Sequence, residues 1–360
     1  MKKEKEKKRN YVYDLLRVIS CICIILIHTT GFLYNYKKDS ILWWSGDIIQ
    51  AIVRIALPIF VVLSGALVLD TKDESNTYFY YKRFSKILIP FFIYNMLYLV
   101  FNIYYVIGKF EINKIFLYMY MIIKGSIYEH LWFVYMILGL YLCTPFIKVM
   151  CQHLSQTELK NLFILLTFIM IITTLLPSFN ITIGITNITF SGWIIYYLMG
   201  YILKNSNMLN EKRKTFYILG IVSFIITIIE TRYHLLNLQG LYDLSITMYF
   251  QVIAVFLFFN NLRVNINNKK LQFLSNYSFE VYIVHGAIMN SIERINNKFG
   301  LLNSNSFLFN IIFIIMTIIL SFISSYIVHN ILVIPCTKLI DKIILFFKNR
   351  WKKRMNYEKV

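Results

Sequence analysis

An all-α bundle of about ten membrane-spanning helices, with both termini in the cytoplasm, is the fold class this sequence predicts. Three observations predict it. Of its 360 residues, 58% are apolar and only 15% charged, against about 45–50% and about 25% in soluble domains. The apolar residues gather into runs long enough to cross a bilayer, which takes roughly 20 helical residues each. Most of the 37 Lys and Arg fall on alternate connections, on the side that also holds the termini, and this positive-inside bias orients the chain. That asymmetry accounts for the net charge of +19. The charge faces anionic lipid heads, which removes nucleic acid as a partner. The five cysteines include no C-x-x-C pair, so neither a metal site nor a disulfide framework is expected.

Residues 1–10 read as a basic cytoplasmic tail, 11–335 as the membrane domain and 336–360 as a cytoplasmic amphipathic helix with a basic tail. The expected spans are 11–34, 43–69, 87–108, 131–150, 160–179, 189–204, 215–230, 243–262, 277–292 and 307–333. The basic N-terminus resembles the start of a secretory leader. Asp14 and Arg17 interrupt the apolar run behind it, however, and no clear small-residue cleavage site follows, so it reads as a retained first helix.

The first span carries the most informative pair, Arg17 and His28. Eleven residues of helix leave them about 20° apart around the axis and about 16 Å apart along it. Asp14 and Cys21 lie near the same stripe. An ionisable group at membrane depth costs several kcal/mol unless paired or hydrated, so it reads by default as functional. A guanidinium suits a phosphate, and an imidazole suits proton exchange with a hydroxyl. The plainer alternative pairs Arg17 with Asp14 and lets His28 bond a neighbouring helix.

In the second span, Pro58 frees a backbone carbonyl and Ser64-Gly65 permits a bend or a close helix approach. Arg54 there either pairs with Asp47 or touches substrate, and Phe60 reads as packing. The run Tyr81-Lys82-Arg83-Phe84-Ser85-Lys86 places three cations at the expected start of the third span, as a membrane anchor or a diphosphate site. Lys114 to Ile123 is too short to cross and is expected at the interface or re-entering. Glu129, His130, Trp132 and Tyr135 stand at the outer mouth of the fourth span. The two aromatics serve either as a sugar-stacking platform or as belt anchors. Asn180 to Thr189 reads as an uncharged outer loop, and Glu230, Arg232 and Asp243 flank the outer ends of spans seven and eight. In the ninth span Ser278, Tyr282 and His285 share one face. That span is short and polar, so it should be shielded within the bundle. Lys338 to Lys348 reads as a surface helix.

Taken together, these runs resemble the acyltransferase family 3 of integral-membrane O-acyltransferases. The resemblance rests on Asp14-Leu-Leu-Arg17 with ten residues before His28, on Arg54…Pro58-Ile-Phe60…Ser64-Gly65, and on the basic run before Pro90. It continues through His130-Leu-Trp-Phe133…Tyr141…Pro145 to Ser278…Tyr282…His285, roughly residues 10–335. The resemblance implies an acyl-coenzyme A donor, most simply acetyl-CoA, entering from the cytoplasm, and an envelope-carbohydrate acceptor at the cell membrane. It implies His28 as the catalytic residue with Arg17 as its partner, and Arg83 and Lys86 on the coenzyme phosphates. By their own chemistry, His285 or Tyr282 would assist proton traffic or oxyanion stabilisation, and Lys82 joins Arg17 in the cationic group that would orient the donor. Glu129, His130, Trp132 and Arg54 are the corresponding acceptor-side candidates. Many members carry arginine where this chain has Lys86, and some carry a further hydrolase-like domain where this chain has a basic tail. Two rival readings of the same residues are a flippase for lipid-linked sugars and a polysaccharide polymerase.

Overall fold

The computed structural model describes residues 9–72, 74–102, 112–124, 128–178, 181, 192–233, 243–262, 268–301 and 306–357, without the side chains of 102, 112–115, 118, 123, 129, 175, 178 and 347–357. The expected loop Asn180 to Thr189 lies almost wholly outside the described residues. The chain runs through α1 (Tyr11–Thr29), a 3-10 turn (Gly31–Asn35), α2 (Ile41–Val53), α3 (Ala56–Val68), α4 (Asn76–Asn102) and α5 (Ile112–Lys124). It continues with α6 (Trp132–Gln152), α7 (Gln156–Ser178), α8 (Trp193–Asn205), α9 (Asn207–Glu211) and α10 (Arg213–Tyr233). Then come α11 (Ile246–Asn260), α12 (Lys269–Phe299), α13 (Phe307–Val328), a π-helical stretch (His329–Val333) and α14 (Ile334–Tyr357), with no strand among the described residues.

Among the described residues, seven helical segments are long and apolar enough to cross a membrane: Tyr11–Asn35, Ile41–Val68, Asn76–Phe101, Trp132–Gln152, Gln156–Thr174, Arg213–Tyr233 and Phe307–Phe346. The other three expected spans correspond to α8, α11 and α12. Helix α8 has 13 residues, and every one from Ile195 to Leu203 is buried. Helix α11 has 15, most of them buried. A helix sheathed by other helices needs neither full bilayer length nor a lipid-compatible surface. The lipid-facing role falls instead to α10 and α13, which expose Ile218, Ile221 and Ile225, and Ile315, Ile319 and Ile323.

Three elements depart from the sequence reading. Helix α12 is 31 residues long rather than short, because Asn268 caps it early and its charged last turns run on to Gly300 at φ 58°. Its segment Glu280–His285 is shielded, as its polarity demands. Helix α4 starts at Asn76, so Lys82, Arg83 and Lys86 lie inside a 27-residue helix and not at its start. The expected surface helix is no separate element, since α14 continues the last span through the π-helical stretch.

Two local features fix the centre of the bundle. Pro58 has no N–H, so the carbonyl four residues earlier, that of Arg54, loses its helical partner and the chain turns between α2 and α3. Helices α3 and α8 then meet glycine to glycine. A Cβ on Gly65 would lie 1.8 Å from the Tyr197 carbonyl oxygen, and one on Gly200 would lie 2.0 Å from that of Val62. Small residues let the backbones touch where lipid supplies no hydrophobic drive for association.

Candidate active site

Helix α1 is the spine of the site. Asn10 caps it, accepting from the backbone N–H of Val12 at 3.0 Å and of Tyr13 at 3.4 Å. The helix is unbroken from Tyr11 to Thr29, so Arg17 and His28 share a face about 16 Å apart along the axis.

At the end where α1 begins, the plainer pairing of Arg17 is present but incomplete. Arg17 Nη1 lies 3.7 Å from the Asp14 carboxylate and donates to Ser275 Oγ at 3.2 Å. The buried Asp14 also accepts from Arg9 Nη2 at 3.0 Å and from Ser275 Oγ at 2.7 Å. One carboxylate shared by two arginines leaves the group cationic. Arg9 and Arg83 both act electrostatically on Arg17, and Lys86 feels Arg83, Lys82, Arg17 and Arg9. Of these, Lys82 is turned to Glu74 at 3.5 Å. The Nε of Arg83 is buried with no hydrogen-bond partner. A guanidinium with an unmatched Nε, beside Arg17 and an exposed Lys86, makes a cationic group suited to phosphate oxygens.

At the other end of α1 three histidines meet. The His28 and His285 ring centroids are 5.3 Å apart, His130 and His285 4.6 Å, and His28 and His130 6.2 Å. Their exposure differs: His28 is open, whereas His285 is only 1% exposed. Hydrogen bonds assign the tautomers of the inner two, because a carbonyl only accepts. His285 Nδ1 donates to the Tyr282 carbonyl at 2.6 Å, which leaves its Nε2 as the base. His130 Nε2 donates to the Ile283 carbonyl at 3.2 Å, which leaves Nδ1 as the base. The Tyr282 hydroxyl donates to the His130 carbonyl, and the Tyr98 hydroxyl to that of Ile283. Among the described residues no group of His, Cys, Asp and Glu is arranged to hold a metal ion.

His130 therefore stands with the other two histidines. Gly286 makes room for it: a Cβ there would lie 2.6 Å from His130 Cε1. Trp132 is 39% exposed and lies against Trp193, ring centroids 5.3 Å apart. Tyr135 is turned inward, its hydroxyl on the Ile122 carbonyl and its ring on Phe91, so it is packing. Phe60 packs on Phe133, as expected. Arg54 stands at the turn between α2 and α3, its Nε buried without a partner, and among the described residues no ion pair joins it to Asp47. In the turn before α11, burial pushes Asp243 up to about 6, against the pull of Arg54. The Glu129 side chain lies outside the described residues.

One family model, that of an acyltransferase domain, matches residues 10–326, a stretch containing both ends of the α1 track and all three histidines. The chain belongs to acyltransferase family 3. It is a multi-pass membrane acyltransferase. No curated protein and no solved structure matches it.

In this acyltransferase, sequence reasoning missed an acid–histidine pair between the buried Glu280 and the half-buried His329. His329, first residue of the π-helical stretch, bonds the Glu280 carboxylate, which also accepts from the Tyr94 hydroxyl at 3.2 Å. The signal was there in His329, an ionisable residue ending an apolar 22-residue helix. Trp193 and Gly286 were missed too, since nothing in their local sequence marks which helix they face.

Proposed function

We propose that this protein transfers an acyl group, most simply acetyl, from acetyl-CoA to a hydroxyl of a cell-envelope glycan or its precursor. The observation that carries the reading is α1 itself, with an arginine–lysine cluster at one end and three histidines at the other. With both termini in the cytoplasm, the cationic end faces the compartment that holds coenzyme A. Arg17, Arg83 and Lys86 bind its phosphates, and the extended pantetheine arm carries the thioester along the α1 track toward His28.

His28, the exposed member of the cluster, takes the proton of the acceptor hydroxyl. The alkoxide adds to the thioester carbonyl, and collapse of the tetrahedral adduct expels coenzyme A thiolate, which takes up a proton. In the two-step variant His28 attacks first and forms an acyl-imidazole that the hydroxyl then discharges. His285 Nε2 and His130 Nδ1 are bases positioned beside it, and Tyr282 acts through His130. Trp132 with Trp193 offers the acceptor sugar an aromatic face.

Incubating membranes with labelled acetyl-CoA and scoring ester-linked label in glycan tests the reading. The variant His28→Ala should abolish labelling while unfolding at the wild-type temperature. Wild-type labelling by that variant refutes the assignment. Movement of an unmodified lipid-linked sugar with no use of acetyl-CoA would establish the flippase alternative instead.

A further inference from the structure

Helix α2 and its C-cap residue carry three polar groups that the mechanism above does not use. Asp47, Gln50 and Arg54 are spaced three and four residues apart, which sets them on one helix face. Asp47 is 0% and Gln50 3% exposed. Each of the three has a buried atom with no hydrogen-bond partner: Asp47 Oδ2, Gln50 Oε1 and Arg54 Nε. A buried polar atom left unpaired costs about 1–3 kcal/mol, and more when charged, so native structures hold few of them. Three within two turns, on α2 and its C-cap, leave two acceptors and one donor unmatched by the protein itself.

The row adjoins His28. The Gln50 amide donates to the Ile27 carbonyl at 3.0 Å and to the Thr30 side-chain hydroxyl at 2.9 Å, so it holds residues on both sides of His28. Tyr34, in the 3-10 turn after α1, reaches toward Asp47 at 3.5 Å and feels the charge of Arg54. Asp243 also feels Arg54. The open atoms are two acceptors and one donor, set among one cation and two carboxylates. An anionic ligand would meet Asp47 and Asp243, and a cationic one would meet Arg54. A hydroxyl donates to the Asp47 and Gln50 oxygens and accepts from Arg54 without either penalty.

We propose that Asp47, Gln50 and Arg54 form a subsite for an uncharged polyhydroxyl ligand, a neutral sugar residue gripped through adjacent hydroxyls. On the acyltransferase reading, that sugar is the acceptor and a further hydroxyl of it reaches His28. The role as acceptor rests on that reading, whereas the binding itself does not.

The test uses the full chain in lipid nanodiscs, titrated with methyl glycosides of glucose, galactose, mannose and N-acetylglucosamine. Glycerol 3-phosphate and choline serve as the anionic and cationic probes. The readouts are the ligand-induced shift in unfolding temperature and, separately, acetyl transfer to the bound glycoside. At least one glycoside should stabilise saturably, and neither charged probe should. Asp47→Asn and Gln50→Leu should each weaken that binding by about tenfold or more, the loss of roughly one good hydrogen bond, and leave stabilisation by coenzyme A unchanged. Gln50→Leu removes no charge, so it carries the test if Asp47→Asn does not fold. Stabilisation by glycerol 3-phosphate or choline at equal or lower concentration overturns the proposal. So does a failure of all four glycosides to bind, or binding within twofold of wild type in both variants. Glycoside binding without acetyl transfer in the wild type upholds the subsite and refutes the transfer reading.

Discussion

Replacing Gly286 with alanine tests whether the three-histidine cluster is the reacting centre. The new Cβ would lie 2.6 Å from His130 Cε1 and 3.2 Å from Nδ1, whereas carbon atoms settle at about 3.5–4.0 Å. The ring must therefore retreat by about 1 Å. Tyr282, His28, His285 and Tyr128 surround it, so it cannot retreat without disturbing His285 or giving up its bond to the Ile283 carbonyl. A 1 Å misplacement in a reacting constellation costs roughly a hundredfold in rate, which is about 2.7 kcal/mol of barrier. The matched control is Gly139→Ala, also within a helix, where a Cβ would meet nothing within 4 Å. There the substitution should be neutral or gain the roughly 0.5–1 kcal/mol by which alanine exceeds glycine in helices. Turnover of labelled acetyl-CoA into ester, measured on nanodisc samples matched for folded protein, should fall about a hundredfold in Gly286→Ala and stay unchanged in Gly139→Ala. Turnover within twofold of wild type in Gly286→Ala, with the protein folded, would refute the reasoning.

Three further outcomes are expected. Gly65→Ala drives a Cβ to 1.8 Å from a backbone oxygen that no rotamer can move, so α3 and α8 must separate, at a cost toward the upper end of the roughly 1–3 kcal/mol typical of overpacking; the fraction of monodisperse protein after solubilisation reads it. If Arg83 holds a coenzyme phosphate as proposed, Arg83→Gln removes a charge-assisted bond worth about 1.5–3 kcal/mol, so the KM for acetyl-CoA should rise roughly tenfold to a hundredfold with kcat little changed. Dephospho-coenzyme A esters then show whether the lost contact was to the 3′-phosphate, because wild type and variant should use them equally if it was. Burial holds Asp243 near 6 in the folded chain against its ordinary 3.8, so its ionised form costs stability, and that cost disappears as pH falls from above 6 toward 4. The wild-type unfolding temperature should accordingly rise between pH 7 and pH 5, and Asp243→Asn should remove that component of the rise.

The sequence by itself determined what helical periodicity and hydropathy can carry. The apolar runs located the main helices among the described residues, though not the division of 43–69 into α2 and α3, and Arg17 and His28 could be placed on one face because a helix fixes that angle locally, whatever surrounds it. Pro58 and Ser64-Gly65 announced a break and a close approach, and both are present, because a missing N–H and a missing Cβ act wherever they stand. Only the tertiary structure decided which faces meet. His28, His130 and His285 come from three separated helical segments, and nothing in their neighbours says that they converge or that Gly286 leaves the space for it. The union of Glu280 with His329 and the open row on α2 are decisions of the same kind. Within a membrane, helix pairing is set by close packing and polar contacts between whole surfaces, with no apolar driving force for a sequence pattern to display.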